Sequence, residues 1–323
     1  MSIELIKKSC PLLILAGPTA VGKSNVAVAL AEELDTEIIN ADSMQVYKYF
    51  DIGTAKPNLK TRRKIPHHLI DICEPDEEYN SAKFINDADS AIKMIYNKSR
   101  IPILVGGTGL YIKSLVEGLT ADIEPDTEIR QELKRELEEK GLQVLYQELC
   151  KVDEVSAKKI KPNDKTRILR ALEVYRQFQI PLSEIYKSKE KRKGIYDPLS
   201  IFLNRDRDEL YERINKRVDE MIERGLKDEV KKILNMGYSK ELKPFKSIGY
   251  LQMVNYLEGK ISFDEMVKDI KQATRKYAKR QITWFKHQGQ FEEVNLSHSE
   301  EKRIVNMLKK KLENAYSGKY YKN

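Results

Sequence analysis

Short apolar runs alternate with helical patterns over the first hundred residues, and that alternation predicts a parallel α/β sheet. The run 12–16 (LLILA) is the first expected strand, 37–40 (EIIN) the second, 67–72 (HHLIDI) a further short one and 101–105 (IPILV) another. Between them, Val26, Ala27, Leu30 and Leu34 recur at three- and four-residue steps, which predicts a helix over 25–34; a second is expected over 81–97. From about residue 126 the strand signal stops. Residues 127–140, 142–149 and 165–178 read as charged amphipathic helices, the last preceded by Pro162, Asn163 and Asp164 as stop and cap. Strand character returns at 199–203 (LSIFL), and a long helix follows from Asp208 with Leu210, Ile214, Val218, Met221 and Ile222 on one face. More helices are expected through 282, and 299–316 reads as a basic amphipathic helix. The pattern implies an α/β parallel sheet core flanked by helices, built from 1–125 and 196–323, with an all-helical insertion domain over 126–195.

Composition narrows the class. The 323 residues are 41% hydrophobic and 33% charged, the balance of a globular chain with a charged surface. No stretch approaches the ~20 apolar residues of a membrane-spanning helix, and the first ten residues are too polar for a signal peptide. Cys10, Cys73 and Cys150 are isolated and odd in number, which points to a reduced, cytoplasmic setting without a metal or disulfide framework. The net charge of +8 is uneven. Residues 271–280 (KQATRKYAKR) and 187–193 (KSKEKRK) are basic, whereas 117–139 is acid-rich. Two basic clusters favour a nucleic-acid partner if the chain also handles phosphate.

It does carry the residues for that. Gly17, Pro18, Thr19, Ala20, Val21, Gly22, Lys23 and Ser24 match G-x-x-x-x-G-K-[ST] between an expected strand and an expected helix, the context a P-loop needs. Backbone N–H groups there would cradle phosphate oxygens at a helix N-terminus, Lys23 adds a point charge, and the Ser24 hydroxyl can ligate Mg²⁺. Ligands of open α/β sheets sit beyond the carboxyl ends of the strands. The second strand ends at Asp42, which could serve as a general base or hold Mg²⁺, or simply form a turn. The strand 101–105 ends in Gly106, Gly107, Thr108 and Gly109. Two glycines permit close backbone approach, and Thr108 either offers its hydroxyl toward the phosphate loop or caps the next helix. The missing Asp at this strand end argues against an ATP-driven motor. His67 and His68, beside Pro66, read as structural, and Trp284 as core or rim packing.

GPTAVGKS, DSMQVYKYFDIGTAKP, PHHLIDI, LVGGTGLYIKSL, PNDKTRILRALEVY, IGYLQM and AKRQITWF occur in that order along the chain. Together, from about residue 11 to 286, they resemble the tRNA dimethylallyltransferase (isopentenyl-tRNA transferase) family. The chain lacks the Cys and His of the zinc-finger extension of eukaryotic relatives and is similar to the bacterial type. The resemblance implies transfer of a dimethylallyl group from dimethylallyl diphosphate to N6 of the adenosine immediately 3′ of the tRNA anticodon. It implies that residues 17–24 hold the diphosphate with Arg217 and a Mg²⁺ at Ser24, that Asp42 is the base, and that Thr108 supports the leaving group. Asp42, Ser43, Met44, Gln45 and Thr108 would line the flipped base. Arg130, Thr166, Arg167, Ile168, Leu169, Arg170, Arg280 and Gln281 would touch the tRNA anticodon stem-loop. The implied protein is a cytoplasmic monomer, with no membrane or obligatory protein partner. Two rivals stay open on the residues alone: an ATP-dependent kinase using the same loop, and a nucleotide-dependent RNA-binding module, which would not need Asp42 or Thr108.

Overall fold

The apolar run before the phosphate loop becomes strand β1 (Cys10–Ala16), buried from its second residue onward. A strand with nothing polar to turn outward needs cover on both faces. The computed structural model, which describes residues 10–118, 123, 126–188 and 195–316, provides it. After β1 come α1 (Lys23–Glu33), β2 (Ile38–Ala41), α2 (Leu59–Lys64), β3 (His67–His68), α3 (Ser81–Tyr96), β4 (Ile103–Gly106) and α4 (Gly109–Glu117). Five helices follow without a strand: α5 (Thr127–Lys140), α6 (Leu142–Val152), α7 (Glu154–Lys159), α8 (Lys165–Phe178) and α9 (Leu182–Ser188). The chain then forms β5 (Tyr196–Asn204), α10 (Arg207–Glu223), α11 (Leu226–Asn235), a 3₁₀ turn (Lys243–Lys246), α12 (Tyr250–Leu257), α13 (Phe263–Gln288), β6 (Glu292–Asn295) and α14 (Glu301–Tyr316).

The six strands lie in the order β3-β2-β4-β1-β5-β6, and every pairing is parallel. Register decides where chemistry can gather. Ala16 pairs with both Gly106 and Phe202, and Ala41 pairs with Gly106, so the carboxyl ends of β1, β2 and β4 finish at one level. The phosphate loop, residues 42–45 and the turn 107–108 all leave the sheet there.

Two compact units divide the chain. Glu117–Arg192 forms one, with its own core of Leu133, Leu145, Leu149, Ile168, Leu172 and Val174. Its helix starts follow capping chemistry: Asp126 accepts N–H bonds from Glu128 and Ile129 ahead of α5, and Asp164 accepts that of Arg167 in α8. The flanking segments form the other unit, around the sheet. There α14 lays Ile304, Val305, Leu308 and Leu312 into the same core as Val26 and Leu30 of α1. Docking of that apolar face, rather than the helix's basic charge, holds it.

Departures from the sequence pattern have local causes. The strand expected over 67–72 stops at His68, because Leu69 and Asp71 take positive φ (63° and 58°). That turn brings Asp71 to Lys56 (2.5 Å) and Arg62 (2.6 Å). Strand β6 was not expected, since only Val294 of its four residues is buried. His67 Nδ1 lies 2.7 Å from Ile65 O and His68 Nε2 lies 2.8 Å from Glu37, both structural pairings. Residues 1–9, and 189–194 of the Lys-rich stretch with its Gly194, lie outside the described residues. No helix among the described residues is long and apolar enough to cross a membrane.

Candidate active site

The phosphate loop bends where its residue types allow it to. A Cβ at position 17 would lie 2.6 Å from Leu203 O, so only glycine fits, and Ala20 and Gly22 take φ of 63° and 104°. Gly22 precedes α1 without a side-chain cap, leaving the first N–H groups of the helix for an anion. The loop's outward carbonyls are tied: Arg205 Nε donates to Val21 O (2.7 Å) and Arg213 Nε to Ala20 O (3.0 Å). Lys23 Nζ donates to Pro18 O at 3.2 Å. Burial, reinforced by the nearby Arg217 charge and opposed by Asp42, lowers the Lys23 pKa to about 8. Val21 is fully buried, so only its backbone is available to a ligand. Over the loop opens a cleft of about 930 Å³ lined by Gly22, Lys23, Ser24, Arg213, Arg217 and Arg224.

Asp42 shapes the turn that ends β2, and Thr108 ties that turn to the end of β4. Asp42 Oδ1 accepts the N–H bonds of Met44 (2.8 Å) and Gln45 (3.3 Å), closing an Asx turn. Thr108 N–H donates to Ala41 O (3.2 Å), and its hydroxyl accepts the N–H of Ser43 (3.1 Å). Gly106 makes the approach possible, since a Cβ there would lie 2.2 Å from Ala41 O. Asp42, Ser43, Met44, Tyr277 and Arg280 line a second pocket of about 440 Å³. Arg217 and Met221 line this pocket and the phosphate cleft alike. The Arg217 Nε is buried without a hydrogen-bond partner, and burial lowers its pKa against the pull of Asp42.

The floor of this pocket is braced from α11. Glu229 accepts N–H bonds from Asp51 (3.1 Å), Ile52 (2.7 Å) and Gly53 (3.3 Å), and the Tyr250 hydroxyl donates to it at 2.5 Å. Lys56, 7% exposed, donates to Asp51 (2.8 Å), Asp71 (2.5 Å) and Tyr47 O (2.6 Å). The loop so held offers Thr54 O to Gln45 Nε2 at 3.0 Å.

Other sequence-predicted residues stand as follows. Gln281, expected to touch RNA, is 6% exposed, and its amide bonds Thr19 N–H and Gly107 O, so the side chain is engaged inside the protein. In the helical unit the Ile168 side chain is fully buried among Leu149 and Leu172, so it serves the core of that unit. Thr166 and Arg167 on the same helix are exposed, and Leu169 is half-buried. Arg130 Nε (3.0 Å) and Arg170 Nη1 (2.8 Å) both donate to Glu173. Trp284 is half-buried, against Gly109. Sequence reasoning missed Arg205, which directly follows β5 at a strand end, and Arg213, one turn before Arg217 on α10.

The sequence pattern described as IPP transferase matches residues 45–288, and one described as isopentenyl transferase matches 11–69. The chain belongs to the IPP transferase family. A tRNA dimethylallyltransferase of Thermotoga petrophila is 47% identical over 299 residues, 93% of this chain and 97% of that protein. One from Thermoanaerobacter pseudethanolicus is 49% identical over 278 residues, covering 85% and 88%. Among solved structures, the full-length tRNA isopentenylpyrophosphate transferase of Bacillus halodurans shares 38% identity at a TM-score of 0.69, over 96% of this chain and 98% of that one. A eukaryotic dimethylallyltransferase acting on tRNA shares 29% at a TM-score of 0.78, over 95% and 80%. In this IPP transferase family member the two matched ranges together span the phosphate loop and α13.

Proposed function

We propose that the chain transfers the dimethylallyl group of dimethylallyl diphosphate to N6 of the adenosine immediately 3′ of a tRNA anticodon, releasing diphosphate. One observation carries the reading: Arg217 and Met221 line both the cleft over the phosphate loop and the pocket containing Asp42. A diphosphate on residues 17–24 and an acceptor base beside Asp42 would meet at that shared wall. In the reaction the allylic C–O bond breaks, a bond from N6 to the same carbon forms, and one N6 proton is lost. Charge growing on the diphosphate is stabilised by the uncapped amides of α1, by Lys23 and by Arg217. An exocyclic adenine amine is a poor nucleophile, and proton removal by a placed carboxylate is worth roughly 10²–10⁴ in rate. Asp42 Oδ1 is engaged by two backbone N–H groups. Oδ2 therefore takes the proton. The Thr108 oxygen accepts from Ser43 and keeps its own proton to donate to the leaving group.

Among the described residues no group of three His, Cys, Asp or Glu is placed to hold a metal ion. An exposed Ser24 hydroxyl beside the loop fits a Mg²⁺ carried largely by the diphosphate and water. There the ion would add positive charge opposite the leaving group.

The base must leave its stack to reach Asp42, and Met44, Tyr277 and Arg280 supply walls for it. Arg280 on α13, and Arg130, Thr166, Arg167, Leu169 and Arg170 in the helical unit, form the RNA-contacting set. All of the groups named for the reaction lie on one chain, so the proposed chemistry calls for no second copy, and a tRNA substrate would place it in the cytoplasm.

Incubation with Mg²⁺, dimethylallyl diphosphate and an unmodified anticodon stem-loop tests the reading. Mass spectrometry is expected to find one five-carbon unit on the adenosine after the anticodon. Asp42→Asn keeps an oxygen for the Asx turn but cannot take a proton, so stem-loop affinity is retained and turnover falls at least about 10²-fold. No gain of mass with wild type, or unchanged turnover in Asp42→Asn, overturns the reading.

A further inference from the structure

Gln281 joins two strand ends that the reaction needs in register. Its Oε1 accepts Thr19 N–H at 2.9 Å, within the phosphate loop after β1. Its Nε2 donates to Gly107 O at 2.9 Å, in the turn after β4 that carries Thr108. A primary amide offers both a donor and an acceptor, and here one of each serves a backbone group that has no strand partner. The fit leaves no slack, because a Cβ at position 107 would stand 2.2 Å from Gln281 Nε2. One turn on, Trp284 fills the space at Gly109, where a Cβ would be 2.3 Å from the indole. The open sides of the glycine-rich turn are therefore where α13 docks.

We propose that Gln281 is a positioning residue for the diphosphate donor, setting the phosphate loop against the Thr108 turn, and not an RNA contact. The loop is gripped from two directions. Arg205 and Arg213 hold the carbonyls of Val21 and Ala20, while Gln281 holds the N–H of Thr19. With both carbonyls and Thr19 N–H fixed, and Val21 N–H bonded to Pro18 O (3.4 Å), the Gly22 N–H that follows Val21 O has one orientation in which to receive a diphosphate. Loss of the amide would orphan Thr19 N–H and Gly107 O together, and the loop would turn to re-pair them. The neighbouring Arg280 lines the pocket beside Asp42, so successive residues of α13 face the acceptor side and the donor side. The inference rests on residues 17–24 being the diphosphate site.

The test uses the full-length protein with Gln281→Met and Gln281→Glu. Three quantities are measured: affinity for inorganic pyrophosphate with Mg²⁺ by calorimetry, stem-loop Kd by fluorescence anisotropy, and KM for dimethylallyl diphosphate. Gln281→Met is expected to weaken pyrophosphate binding and raise the donor KM by about tenfold or more, with stem-loop Kd within about twofold of wild type. Gln281→Glu keeps an acceptor for Thr19 but faces Gly107 O with a second acceptor. Lowering the pH protonates that carboxyl into a donor, so its pyrophosphate affinity relative to wild type is expected to recover toward pH 5, while Gln281→Met stays weak. This recovery decides the matter even if the methionine variant melts without cooperativity. Unchanged pyrophosphate affinity in both variants, or a stem-loop Kd raised tenfold with pyrophosphate binding intact, overturns the positioning role. Failure of wild type itself to bind pyrophosphate overturns the diphosphate reading, and the positioning role with it.

Discussion

Lys23 is where burial and charge set a working pH. Desolvation lowers its pKa to about 8, Arg217 adds to the effect and Asp42 opposes it. Below pH 8 the amine is charged, as the proposed contact with a diphosphate requires; above it the charge is lost. Affinity for the donor is therefore expected to fall by up to about tenfold per pH unit above pH 8. Lys23→Arg, whose guanidinium stays charged, should flatten that limb whatever its absolute affinity, and donor KM between pH 6.5 and 9.5 checks both. Stability runs the other way. The folded pKa lies below the unfolded value of 10.5, so the folded chain binds fewer protons between them, and a penalty present at neutral pH is relieved as pH rises through 8. Part of this residue scale was legible in the sequence. Asp42 read as either base or turn former; the turn is there, closed on Oδ1, and the base role is the one that Asp42→Asn tests. Ile168 sits inside a basic motif, but its three- and four-residue spacing to Ala171 and Leu172 marks its side chain as core. Gln281 gave no such signal, because its partners are backbone groups far away in sequence.

Elements were legible where burial or capping is strong. Strands β1 and β5 announce themselves by apolar runs, and α5 and α8 begin where Asp126 and Asp164 cap them. By contrast, β6 is held at the sheet edge by backbone pairing with β5, which leaves little trace in side-chain pattern. The loop between β2 and α2 was equally opaque, since its anchor, Glu229, comes from α11. That carboxylate receives three consecutive N–H groups and the Tyr250 hydroxyl. Glu229→Ala is expected to cost about 2 kcal/mol, read from the denaturation midpoint, because hydrogen bonds to a charged group are among the stronger ones. It should also raise the donor KM, since this loop carries Thr54 O, 3.5 Å from Arg217 Nη2.

At the scale of the whole molecule, net charge and chain order matter most. A formal charge of +8 predicts that stem-loop affinity falls linearly with salt on logarithmic axes, with a slope set by the phosphates neutralised. Equilibrium titrations from about 50 to 200 mM salt check this, and the Gln281 variants should share the wild-type slope. Chain order has a different consequence. In the finished sheet β1 lies between β4 and β5, but its β5 neighbour is encoded after the whole helical unit. Ribosomes add about 5–20 residues per second, so the β5 side of β1 waits roughly 10–40 s for its partner. Until then the most apolar strand of the protein is the border of a half-built sheet. A nascent chain in that condition is open to chaperone binding and to mispairing with its neighbours on a polysome. Yield during synthesis should therefore depend on what protects β1 in that interval, more than on the strength of the completed core.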